Sequence, residues 1–160
     1  MNVSFAPLRP DAVRYLSDGI GIDFRPSMPF APTRWFCVTA RDDHGTIMGV
    51  IASEGLSPFE GSFHSVVTDP RCATRRLLRA TYAALFSQVV RLTALIDPSN
   101  ARAIRNATAM GFVVEGLSRR GLDGHRDALT FGMLRSDCRF LRSAPQRAPQ
   151  QRETRMVLHG

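Results

Sequence analysis

The sequence predicts an α/β fold, one domain built on a mixed sheet. Three observations carry that expectation. The length of 160 residues is that of one domain and is enough to bury a core without disulfides or metal. The composition, 44% apolar and 22% charged, is ordinary for a globular chain. β-rich runs and helix-periodic runs follow in the order strand, helix, three strands, helix, strand, helix, two strands. The strand–helix–strand–helix stretch at 62–111 is the organising centre.

Each element has a local reason. Residues 3–8 read as a strand ended by Pro7 and Pro10. Asp11 caps a helix over 11–18, which Gly19 and Gly21 stop. Residues 22–34 hold Pro26, Pro29 and Pro32 and read as irregular loop. The runs 35–40 and 46–54 are strands joined by the hairpin turn Asp42-Asp43-His44-Gly45. A strand at 62–68 ends at Asp69-Pro70. Residues 73–88 carry Leu77, Leu78, Tyr82, Leu85 and Phe86 on one helical stripe, with Arg75, Arg76 and Arg79 largely opposite. A strand at 91–96 leads to Pro98-Ser99-Asn100, which caps a helix over 100–110 ended by Gly111. Strands at 112–118 and 127–135 flank a polar turn. These elements make a domain over 1–141; residues 142–160, rich in Pro, Gln and Arg, read as a basic flexible tail.

The formal net charge is +7, and all 21 basic residues are Arg. Arg keeps its charge and grips phosphate bidentately, which suits a polyanion, a phosphorylated cofactor or an acidic protein. More than half of the excess, +4, sits in residues 139–160. The 3 cysteines are widely spaced with no C-x-x-C pair, so free thiols in a reducing compartment are expected. The first ten residues do not read as a signal peptide, and no apolar run approaches the roughly 18 residues of a membrane span. A cytoplasmic protein with no membrane partner is the expectation.

The most informative stretch is NARAIRNATAMGFVVEG, residues 100–116. With the preceding RLTALID and the later TFGMLR it resembles the second half of a GNAT-superfamily N-acetyltransferase. The likeness is closest to the branch acting on ribosomal-protein N-termini, where N-x-x-S…GF-x-x-EG-x-x-R recurs; Asn100, Gly111, Phe112, Glu115, Gly116 and Arg119 match. The chain is also similar to acetyltransferase-like proteins carried by tailed bacteriophages, in which case the host cytoplasm is its place. The resemblance implies a mixed, mostly antiparallel central sheet of roughly six to seven strands flanked by about four helices. It also implies acetyl transfer from acetyl-CoA to an amine by direct attack.

For the cofactor, the resemblance points to a strand, then a turn of form Q/R-x-x-G-x-G/A, then a helix N-terminus that holds the pyrophosphate. Here Val66, Val67 and Thr68 end the strand, and the turn holds Arg71, Thr74, Arg75 and Arg76. Arg71 matches. Thr74 and Arg76 stand where the family has glycine, and a Cβ there hinders backbone approach to phosphate. Thr74 offers a hydroxyl, and Arg75 or Arg76 charge-assisted contacts, in compensation. Asn100, Ala103 and Arg105 complete the expected cofactor side, Asn100 contacting the pantetheine arm as in the family. The family's acid for the leaving thiolate is a Tyr or Ser near the sulfur; Ala103 occupies the N-x-x-S position, and no Tyr follows Tyr82.

Candidate bases are His64, on the strand that lines the acetyl group in the family, then Glu60 and Glu54. An imidazole of ordinary pKa, about 6.5, suits amine deprotonation near neutrality. Glu115 reads as pairing with an Arg or holding a turn. No cluster has metal-ligand spacing. The acceptor side is expected to be formed by the first helix, the loop 22–34 and the turn 119–126, for an amine-bearing protein or small molecule. Two other readings stay open. The altered loop and missing acid fit a GNAT-like binding protein without catalysis. The arginines fit a protein that modifies or binds nucleic acid, with steep salt dependence; against it, aromatics are not interleaved with the basic residues. A homodimer is compatible with the resemblance.

Overall fold

The computed structural model describes residues 1–23 and 35–141. Most of the Pro-rich loop and all of the basic tail lie outside the described residues.

The described elements follow the expected order, with one addition. Strand β1 (Asn2–Ala6) precedes helix α1 (Pro10–Ile20). Strands β2 (Trp35–Arg41) and β3 (Ile47–Glu54) form the hairpin, with Gly45 at positive φ in its turn. The single strand expected at 62–68 is two: β4 (Glu60–Ser62) and β5 (His64–Val67). A 3₁₀ turn (Pro70–Ala73) leads to α2 (Arg75–Leu85), then β6 (Arg91–Ile96), α3 (Ala101–Met110), β7 (Val113–Ser118) and β8 (Ala128–Leu134).

The strands form two four-stranded sheets, ordered β1-β2-β3-β5 and β4-β6-β8-β7. All pairings are antiparallel except β4 with β6, so the expected mixed, mostly antiparallel α+β fold is present. The counts differ: eight strands in two sheets replace one sheet of six or seven, and three α-helices are described rather than four. The extra strand comes from Phe63. Its side chain is buried between Tyr82 (ring centroids 5.8 Å apart) and Phe112 (5.1 Å), and the chain changes sheet there.

Local chemistry sets the helix ends. Helix α1 begins at Pro10 rather than Asp11, because Pro suits a first-turn position whose N–H has no partner anyway. It runs past Gly19 and stops at Gly21, which is left-handed (φ 75°). Gly19 is needed for approach: a Cβ there would lie 2.6 Å from Val66 Cγ1 on β5. Thr74 caps α2 through Oγ1, which accepts from Leu77 N–H, and Asn100 caps α3 by accepting from Ala103 N–H. Gly111 ends α3 at φ 113°.

The largest core cluster sits between α2, α3 and the sheets, and includes Phe63, Tyr82, Leu85, Leu92, Phe112, Phe131 and Met133. A second packs α1 on β2 and β3 through Leu16, Trp35, Cys37, Val50 and Ala52. The three cysteines are free and buried. Among the described residues no helix is long and apolar enough to cross a membrane.

Candidate active site

The sheet switch at Phe63 opens a slit. Up to Ser62 the chain pairs with β6, Ser62 opposite Thr93. Phe63 N–H still reaches Thr93 O at 2.7 Å. Beyond it β5 follows β3 while β6 follows β8, and the two strands diverge. Thr68 N–H donates to Met48 O (3.0 Å), so by alternation Val66 and His64 turn their backbone groups toward β3. Ser65 and Val67 then turn theirs into the slit. Across it, Thr93 and Leu95 do the same, because Thr93 O faces Phe63.

A cleft of about 570 Å³ occupies this slit. Its lining includes His64, Thr93 and Leu95, together with Ser65, Ala94 and Ile96, which point to the opposite face of the strands. The cleft therefore passes between the strands from one face to the other.

On the α1 face, His64 and Glu54 both line the cleft, as expected of candidate bases. Ser62 joins them. Its Oγ accepts from Glu54 N–H (3.0 Å) and lies 3.0 Å from His64 Nε2. The His64 ring also stacks obliquely on Trp35, centroids 5.7 Å apart. Burial pulls the imidazole down to about 4, so His64 is neutral at physiological pH. The expectation of an ordinary histidine near 6.5 is corrected by that enclosure. The α1 end (Ile20, Ile22, Asp23) and the β7–β8 turn (Gly121, Leu122, Arg126) close this side, where the acceptor was expected.

On the other face, α3 presents Asn100, Ala103, Asn106, Ala107 and Met110 to the cleft. That stripe holds no ionisable side chain. The nearest phenol is Tyr82, fully buried, whose OH donates to Met110 Sδ at 2.8 Å. Burial raises its pKa far beyond the ordinary tyrosine range, so it is a poor proton donor.

The remaining cofactor candidates do not line the cleft. Val66 packs against α1 and Val67 against Met48 and Cys72. Thr68 Oγ1 bonds Tyr15 OH (2.8 Å) and donates to Met48 O (3.2 Å). Arg71 is held by Asp69, whose oxygens lie 2.6–3.1 Å from its guanidinium nitrogens. Thr74, Arg75 and Arg76 are exposed at the α2 N-terminus, and Arg105 is exposed on α3.

Glu60 is not brought to the cleft. Its carboxylate accepts from Thr93 Oγ1 and lies 3.4 Å from Arg91 Nε. Arg91 also binds Glu115, Nη1 to Oε1 at 2.8 Å, giving Glu115 the expected arginine partner. Gly132 makes room, since a Cβ there would collide with the Glu115 carboxylate.

Sequence reading missed Ser62, Trp35, Leu95, Asn106 and Met110. The last two had a signal: Asn100, Ala103, Asn106, Ala107 and Met110 are spaced as one helical face. Trp35 and Leu95 had none, because their place in the cleft lining depends on how the two sheets diverge.

No protein-family model and no curated protein sequence matches the chain. Solved structures do. A ribosomal-protein-S5-alanine acetyltransferase from Vibrio fischeri is 19% identical over 72% of this chain and 70% of that one, with TM-score 0.55. The spermidine N-acetyltransferase of Vibrio cholerae in complex with CoA and spermine is 12% identical over 88% and 98%, with TM-score 0.62. The IAA acetyltransferase of Bacillus cereus is 16% identical over 83% and 98%, with TM-score 0.63. With its diverging β5 and β6 and the cleft between them, the chain has the fold of the GNAT N-acetyltransferases.

Proposed function

We propose that the protein is an acyl-CoA-dependent N-acyltransferase that moves an acetyl group from acetyl-CoA to an amine. The observation that carries this reading is the through-going cleft between β5 and β6. The residues present fit the cosubstrate. Ser65, Val67 and Leu95 turn backbone donors and acceptors into the slit, which suits a narrow chain bearing amides. At the α2 N-terminus Thr74 Oγ1 takes Leu77 N–H, which leaves the N–H groups of Arg75 and Arg76 without intrahelical partners beside their exposed guanidinium side chains, and this suits a pyrophosphate. When bound, acetyl-CoA supplies an acetyl thioester whose C–S bond breaks as the amine forms its C–N bond.

The protein's own groups divide the remaining work. Ser62 holds His64 and the Glu54 backbone in fixed relation on the acceptor side. Neutral His64 accepts or donates a hydrogen bond but is a weak base for an alkylammonium ion. The Glu54 carboxylate, with water, takes the proton lost from nitrogen. Without an ionisable group on the α3 stripe, the thiolate leaves unassisted, which a thiol pKa near about 8.5 allows.

Calorimetric titration with acetyl-CoA tests the reading. Saturable binding is expected, weakened about tenfold when Arg75 and Arg76 are both changed to Gln. No binding at millimolar ligand would sink it. The bare α3 stripe favours a second reading, a GNAT-like binding protein. Binding of acetyl-CoA without transfer to any amine supports that one instead.

A further inference from the structure

The face of α3 that lines the cleft carries one polar side chain whose purpose is not local. Asn100, Ala103, Asn106, Ala107 and Met110 make up that face. Ala103 and Ala107 have no polar side-chain atom. Met110 Sδ accepts from Tyr82 OH at 2.8 Å. Asn100 Oδ1 accepts from Ala103 N–H at 3.0 Å, so its carbonyl is used on the helix cap. Among the described residues the Asn106 carboxamide takes part in no hydrogen bond.

Asn is a poor residue inside a helix, because its side chain competes for nearby backbone groups. At Asn106 it does not bond its own helix either, so nothing local repays the choice. Its placement is regular. Asn106 follows Ala103 by three residues and precedes Met110 by four, which puts all three on one face. It stands about 9 Å along the helix axis from Asn100. The two Asn side chains therefore meet different parts of an extended ligand lying along α3.

A carboxamide with both halves unused has a definite complement. Its NH2 donates and its carbonyl accepts, so it matches a second amide, which carries the same pair in reverse. It is neutral, so it does not select an ion. Across the slit, Ser65 and Leu95 turn backbone donors and acceptors toward the same space. An amide lying there has strand backbone on one side and α3 on the other.

We infer that Asn106 is a donor-selecting residue that holds an amide in the arm of the acyl donor. This deepens the acyl-transfer reading and rests on it. The side chain is exposed and Ala is the better helix former, so Asn106→Ala spares the fold.

The experiment titrates the full chain calorimetrically with acetyl-CoA and with ADP, which has the pyrophosphate but no amide-bearing arm. Asn106→Ala and the bulkier Asn106→Leu are each expected to weaken acetyl-CoA about fivefold, within the range of one neutral hydrogen bond, and to leave ADP unchanged. Amide NMR adds a readout on the residue itself. The side-chain NH2 pair of Asn106, identified by its absence from the Ala variant, should shift with acetyl-CoA and stay in place with ADP. Unchanged acetyl-CoA affinity in both variants, an equal loss for the two ligands, or an NH2 pair unmoved at saturation overturns the inference and leaves acyl-CoA binding standing. No binding of millimolar acetyl-CoA to the unaltered chain overturns the acyl-transfer reading, and the inference falls with it.

Discussion

His64 illustrates how a residue's chemistry is made by neighbours distant in sequence. Its ring is enclosed by Trp35 and bonded to Ser62, and burial depresses its pKa to about 4. The folded value lies below the unfolded one, so the unfolded chain binds more protons between the two. The neutral ring's contribution is therefore complete above about pH 6.5 and is lost as pH falls toward 4. Its size is up to about 3 kcal/mol. Urea unfolding at a series of pH values should show this loss, and His64→Gln should flatten the slope between those limits. A slope unchanged in the variant would mean that other groups carry it. At Gly111 the sequence was readable in full. The Gly-Phe that closes the α3 stripe predicted a C-cap, and φ is 113°. Asp137 O lies where a Cβ would project, so Gly111→Ala should destabilise by about 2 kcal/mol or more in the same assay.

Among the elements, helices were more legible than the sheet break. Thr74, Asn100 and Gly111 sit at helix ends where their side chains or backbone act locally, and such signals are written in adjacent residues. The division of 60–67 into β4 and β5 is not. The β-rich run reads on through Phe63, and only the aromatic partners Tyr82 and Phe112, brought from α2 and the start of β7, fix the point where the chain leaves one sheet for the other. Phe63 is thus a core residue that lies where the two sheets part and also lines the cleft. Phe63→Ala should cost about 3–5 kcal/mol in unfolding free energy. It should also weaken acetyl-CoA binding in the part of the population that remains folded. Unchanged affinity would show that the slit is held open by something else. The candidate bases divide on the same principle. Glu54 and His64 were legible as cleft residues. Glu60 was not separable from them, since its partners Arg91 and Thr93 come from a strand about thirty residues away.

At the scale of the molecule, the charge of +7 and the proposed chemistry belong to different places. Arg75 and Arg76 are exposed at the α2 N-terminus, whereas the cleft, among the described residues, is lined by Asp23, Glu54 and Asp97 with Arg126 as its arginine. The fold class was legible because the order of elements is local information. The cleft was not, because it exists only where two sheets part. The central claim is that an acyl-CoA occupies this parting. Backbone amide NMR of the full chain during titration with acetyl-CoA tests it most directly. The account predicts saturable shifts at Ser65, Val67 and Leu95 and at the first-turn amides of α2, with β1 and β2 unmoved. Absence of shifts at millimolar acetyl-CoA, or shifts confined to residues away from β5, β6 and α2, would contradict it.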